Sequence, residues 1–170
     1  MRVAFALLLW SAPAWTQASI GVKGGVPLND ALETPIPTTR TQRFTLGPSL
    51  EFRFPMGFGL EFDILYKRFE ASGRRGSSWE FPLLGKYRFS GEHLRPYVEA
   101  GPTFQRLGGL PVPLPFTTGS ETRKGLAMGA GIELRLPVIR VSGGLRYSHW
   151  GDTPLVRSTN LVDFLLGVSF

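Results

Sequence analysis

The final eleven residues, Asn160–Phe170 (NLVDFLLGVSF), decide how the rest of the chain is read. Successive side chains of an extended strand point to opposite faces. Val162, Phe164, Leu166, Val168 and Phe170 therefore share one face, while Asp163, Gly167 and Ser169 share the other. The first face suits hydrocarbon; the second does not.

Working back from that strand, the same two-residue period recurs in seven earlier segments. Ser19–Leu28 puts Ile20, Val22, Val26 and Leu28 on one face. Arg43–Phe54 sets Phe44, Leu46, Leu50, Phe52 and Phe54 against Thr45, Ser49, Glu51 and Arg53. Phe58–Glu70 sets Phe58, Leu60, Phe62, Ile64 and Tyr66 against Glu61, Asp63 and Lys67. Ser78–Phe89, Leu94–Leu107, Arg123–Leu136 and Ile139–Trp150 continue the pattern. These lengths suit tilted membrane strands of about 9–11 residues. The connections alternate as well. Asn29–Gln42, Ala71–Ser77, Gly108–Thr122 and Gly151–Thr159 are long; Pro55–Gly57, Ser90–His93 and Pro137–Val138 between them are short. Tight periplasmic turns and longer outer loops produce that alternation. The expected fold is all-β: an eight-stranded antiparallel up-and-down transmembrane β-barrel. Pro48, Pro82, Pro96 and Pro102 fall inside these segments and, lacking an N–H, are expected to mark strand ends or bulges.

Composition bounds the rest. The 170 residues suffice for one domain. No apolar run reaches the ~18 residues of a membrane-spanning helix. Met1–Ala18 reads as a secretory signal: Arg2 is its positive start, Val3–Trp10 its short apolar core, and Thr16-Gln17-Ala18 a small-residue cleavage site. Residues 19–170 are then the barrel domain. The net charge of +6 is spread out rather than gathered in an Arg/Lys tract, which argues against a nucleic-acid partner. Cysteine is absent, so disulfide and zinc–thiolate chemistry are excluded. His93 and His149 stand far apart in sequence and propose no metal centre; no cofactor and no catalytic set is expected.

Alternation alone does not say which face is outside, since a soluble lipocalin-like barrel would turn its apolar face inward around a ligand. The aromatic residues decide for the membrane. Phe52, Phe54, Phe58, Tyr87, Phe89 and Phe170 gather at the periplasmic end of the apolar face, and Phe44, Tyr66, Trp79, Phe104 and Tyr147 near the outer end. Aromatic belts of this kind sit at the two membrane interfaces.

The polar face must then fill a narrow lumen, because eight strands leave room only for side chains. Glu51, Arg53, Glu61, Arg88, Arg95, Glu99, Glu133, Arg135 and Arg140 are expected to form a lumen charge network, densest in the periplasmic half. Lys23, Asp63, Lys67, Glu80, Lys86, Arg146 and Asp163 share its parity. Arg53 with Glu61, and Glu133 with Arg140, are the expected pairs across their hairpins. At the outer rim Arg74, Arg75, Arg123 and Lys124 are expected to contact lipid phosphate, since guanidinium forks suit that geometry. Tyr147, His149 and Trp150 read as interfacial anchors.

The closing strand, with its terminal Phe170, resembles the last strand of bacterial outer-membrane β-barrels, which the insertion machinery reads. Over Ser19–Phe170 the pattern is similar to small barrels of the OmpA-transmembrane and OmpX kind. The RYSHW…NLVDFLLGVSF ending resembles barrel-domain proteins of Gram-negative soil bacteria. This resemblance implies the fold, an outer-membrane location and the insertion machinery as a partner; the basic outer collar adds lipopolysaccharide as an expected partner, and a structural or surface-interaction role is the expected function. Arg146-Tyr147-Ser148-His149-Trp150 also looks faintly like lipid A deacylases, whose strand places a Ser two residues after a His. Here Gly151 occupies that position, so the nucleophile is missing. Lipid A modification and a narrow channel are the alternative functions.

Overall fold

A computed structural model describes residues 17–28, 44–71, 74–111, 118–151 and 159–170. Among them nine strands run in chain order: β1 (Gln17–Pro27), β2 (Thr45–Arg53), β3 (Phe58–Asp63), β4 (Leu65–Ala71), β5 (Arg74–Arg88), β6 (Leu94–Pro111), β7 (Thr118–Arg135), β8 (Arg140–Trp150) and β9 (Thr159–Ser169). Of the expected signal segment Met1–Ala18, residues 1–16 lie outside the described residues, and Gln17 and Ala18 pair in β1 with Arg53 and Phe52.

β3 and β4 are two halves of one stave, parted only at Ile64. Both pair with β2 on one side and β5 on the other. Each stave is antiparallel to the next, and β9 returns to β1 with Val22 opposite Val168. The result is a closed eight-staved barrel, as the alternation predicts. Closure gives every strand a partner on both sides, the condition for placing a sheet in lipid.

The prolines do not act as expected. They neither end strands nor create bulges; the register runs through Pro48, Pro82, Pro96 and Pro102 unshifted. Each removes a donor, and rungs drop out beside some of them. Pro48 and Pro82 flank the interruption at Ile64: the rungs Ser49–Asp63 and Leu46–Tyr66 bracket it on one side, Phe62–Leu83 and Leu65–Glu80 on the other. Ile64 N still donates to the Pro48 carbonyl at 3.0 Å.

Two expected outer loops are largely strand. β4 runs to Ala71 and β5 starts at Arg74, while β6 and β7 continue to Pro111 and from Thr118. Backbone pairing needs no apolar side chains, so these hairpins outrun the hydrophobic pattern used to delimit them.

The apolar face is outside. Ile20, Val22, Leu126, Met128, Leu145 and Leu166 are all at least half exposed, whereas Lys23, Glu61, Asp63, Lys86 and Arg146 are buried. Ionised groups inside an oily exterior suit a bilayer and would be inverted for water. The inner aromatic belt is in mutual contact, with ring centroids 5.0 Å apart for Phe58–Tyr87 and 5.1 Å for Tyr87–Phe89. Tyr66 and Trp79 form the outer counterpart at 4.9 Å.

Candidate functional site

The interior is layered, and each layer follows from strand parity. Nearest the periplasm, Arg53 Nε donates to Glu51 Oε1 at 2.9 Å, and Arg88 Nε to Glu133 Oε2 at 2.9 Å. Arg88 also reaches Glu51 from the far side of β3. Gly59 leaves the room for that reach, since a β-carbon there would lie 3.1 Å from Arg88 Nη1.

The middle layer sets three cations, Lys23, Lys86 and Arg146, against Glu61, Asp63 and Glu99. Arg146 is the hub, with Nε 2.8 Å from Glu99, Nη1 3.0 Å from Asp63 and Nη2 3.2 Å from Glu61. Lys23 pairs with Glu61 and lies 3.3 Å from Asp63. Lys86 pairs with Glu61 at 2.9 Å and stands over the Tyr97 ring at 4.0 Å. Tyr97 in turn needs Gly131 and Gly144, where a β-carbon would come within 2.6 Å of its hydroxyl. Equal charge of both signs offsets the several kcal/mol per ion that burial costs.

Above this, Lys67 bridges Glu80 at 2.9 Å and Asp163 at 2.7 Å. Toward the outer end the filling is mixed: Leu65, Leu107, Trp150 and Leu161 are each at most 4% exposed, beside buried Thr45, Ser78, Gln105 and Arg123. Between the lower and middle layers lies a small, partly open space of about 20 Å³, room for about one water.

Several expected site residues stand elsewhere. Arg53 pairs with Glu51 rather than Glu61, and Glu133 with Arg88 rather than Arg140. The hairpin argument considered only neighbouring strands, whereas a lumen this narrow lets an arginine reach across it. Arg95 spends its Nε on the Gly91 carbonyl at 2.8 Å, Arg135 is exposed, and Arg140 is half-buried. None of these three makes an ion pair among the described residues. Arg123 is not on the outer rim: it points inward, 2% exposed, with Nη2 3.2 Å from the Gly151 carbonyl. Lys124, next in sequence, is exposed. The Arg74 and Arg75 backbones pair with Ala71 and Glu70, but their side chains lie outside the described residues. Trp150 is no interfacial anchor; it shares the inward parity of Arg146 and Ser148, a signal already present in the sequence.

His149 does face outward. Its Nδ1 lies 2.8 Å from Asn160 Oδ1, and Tyr147 Oη donates to the same oxygen at 2.9 Å. Sequence reasoning missed Asn160, because only the β8–β9 register sets it opposite His149. Ser148 is fully buried on the other face.

No protein-family model and no curated protein matches the sequence. Among solved structures the chain is similar to Neisserial surface protein A, with a TM-score of 0.68 at 15% identity over 91% of this chain and 97% of that one. It is also similar to Ail, the attachment invasion locus protein of Yersinia pestis, in complex with the heparin analogue sucrose octasulfate. There the TM-score is 0.56 at 18% identity, over 91% and 97% of the two chains. A third is the outer membrane enzyme PagL, with a TM-score of 0.54 at 17% identity over 89% and 98%. At these identities the likeness is one of fold.

Proposed function

We propose that this chain, which has the fold of the small eight-stranded outer-membrane β-barrels, is an outer-membrane protein that acts through its outer surface. The observation that carries this is the filled lumen. With ion-paired layers below and Trp150 and its leucine neighbours above, the surface is what remains for partners. At its outer end Arg106 and Lys124 are both exposed and stand diagonally, two residues apart in register, on β6 and β7, where Arg106 faces Thr122 and Phe104 faces Lys124. Two cations so placed suit the phosphates of lipopolysaccharide in the outer leaflet. The Ail complex with a sulfated sugar supports a polyanion as the partner class. The test is lipopolysaccharide retention by the purified protein. Arg106→Gln/Lys124→Gln is expected to lower it severalfold, and unchanged retention would sink the reading.

The runner-up, lipid A modification, rests on the Tyr147–Asn160–His149 cluster that faces lipid. Asn160 fixes the imidazole, but Gly151 supplies no hydroxyl and Ser148 is turned inward. Lipid A is therefore expected to have the same mass with and without expression. An acyl change abolished by His149→Ala would reverse this choice.

A further inference from the structure

The periplasmic end of the barrel opens into a cavity of about 600 Å³ between the β2–β3 and β5–β6 turns. Arg53, Arg88 and Arg95 line it, and no aspartate or glutamate does. Arg88 is already neutralised by Glu51 and Glu133 beneath it. Arg53 is not: it shares Glu51 with Arg88, and its Nη2 is shut away from solvent with no hydrogen-bond partner among the described residues. An unpaired buried N–H is costly, and the Arg53 guanidinium lines the cavity, so a small turn of the side chain toward an acceptor in the cavity would satisfy it. Arg95 is held by the Gly91 carbonyl through Nε alone and has no carboxylate partner among the described residues. Glu92, exposed on the same turn, stays outside the lining.

The rest of the wall says where the acceptor comes from. Phe58, Tyr87 and Phe89 line the same cavity and belong to the inner aromatic belt, so it opens where periplasm meets the inner leaflet. The turn between is pressed into place: Met56 holds a left-handed backbone (φ 66), as does Gly57 (φ 86). From these observations we infer that the periplasmic mouth binds a phosphate group, gripped by Arg53 and Arg95. The group belongs either to a phospholipid headgroup of the inner leaflet or to a soluble phosphate. This site lies at the opposite end from the Arg106–Lys124 surface and does not rest on it.

The test uses protein in maltoside micelles, which carry no phosphate, and follows the arginine Nε–Hε signals by NMR. Inorganic phosphate is titrated in one arm and short-chain phosphatidylglycerol in the other. Saturable shifts at Arg53 and Arg95 are expected, with affinity weakened roughly tenfold in Arg53→Gln and in Arg95→Gln and unchanged in Arg135→Gln. Saturation by phosphate alone assigns a soluble ligand; saturation only by the lipid assigns a headgroup. Heat-modifiable migration confirms that each variant is folded, and the wild-type titration stands even where a variant is not. No saturable shift in either arm overturns the inference, as does an equal loss in Arg135→Gln.

Discussion

Arg146 shows what a single side chain does in a closed lumen. Its three nitrogens meet Glu99, Asp63 and Glu61, carboxylates contributed by two other staves. Removing it leaves three carboxylates facing only Lys23 and Lys86. Arg146→Met is expected to cost about 3–5 kcal/mol, the usual penalty for breaking a buried pair, read from urea unfolding in detergent. A value below 1 kcal/mol would mean the layer is wetter than its geometry implies. The partner of Glu133 can be tested in the same way. A double-mutant cycle on Glu133 and Arg88 should give a coupling of at least about 1 kcal/mol, and one on Glu133 and Arg140 close to none. The sequence placed all of these groups inside, because parity is a local property. It chose the wrong partners because ion pairing across the lumen depends on the angles at which five or more strands bring their side chains together.

At the scale of the element, β9 is the clearest case of a strand with two solvents. Leu166 is about half exposed toward lipid, whereas its neighbour Leu165 is buried. Leu166→Arg is expected to destabilise the barrel by about 2–4 kcal/mol, the cost of a cation near the bilayer midplane. Refolding yield and urea midpoint would check this, and an unperturbed barrel would contradict the lipid-facing assignment. The β7–β8 hairpin carries a different constraint. Gly131 and Gly144 face each other and seat the Tyr97 hydroxyl. Gly144→Val should cost about 1–3 kcal/mol by overpacking. Gly85→Ala, whose added carbon meets only the Ala100 carbonyl at 3.6 Å, should fall near wild type. The strand limits show the same division between pattern and packing. Apolar alternation located β1 to within two residues, yet stopped short of the outer ends of β5, β6 and β7, where pairing continues without it.

For the whole molecule, the layers give a definite expectation about transport. Among the described residues, a plug of ion pairs followed by Trp150, Leu161, Leu65 and Leu107 fills the lumen. Planar-bilayer recordings of the wild type should be silent. Arg146→Ala/Trp150→Ala, which thins both barriers, should show measurable conductance. Steady conductance in the wild type would favour a channel over a surface-acting protein.

The amino-acid order by itself determined the closed barrel, the number of its staves and which side chains enter the lumen. All three follow from a two-residue period and from the rule that no backbone group is left unpaired in lipid. Only the tertiary structure decided that Arg146 is the hub, that Arg88 rather than Arg140 meets Glu133, that His149 meets Asn160, and that three arginines converge on one mouth. Those facts depend on register and curvature, which bring together residues as far apart as Glu61 and Arg146, 85 positions, or Lys67 and Asp163, 96, and no local pattern in the chain records such distances.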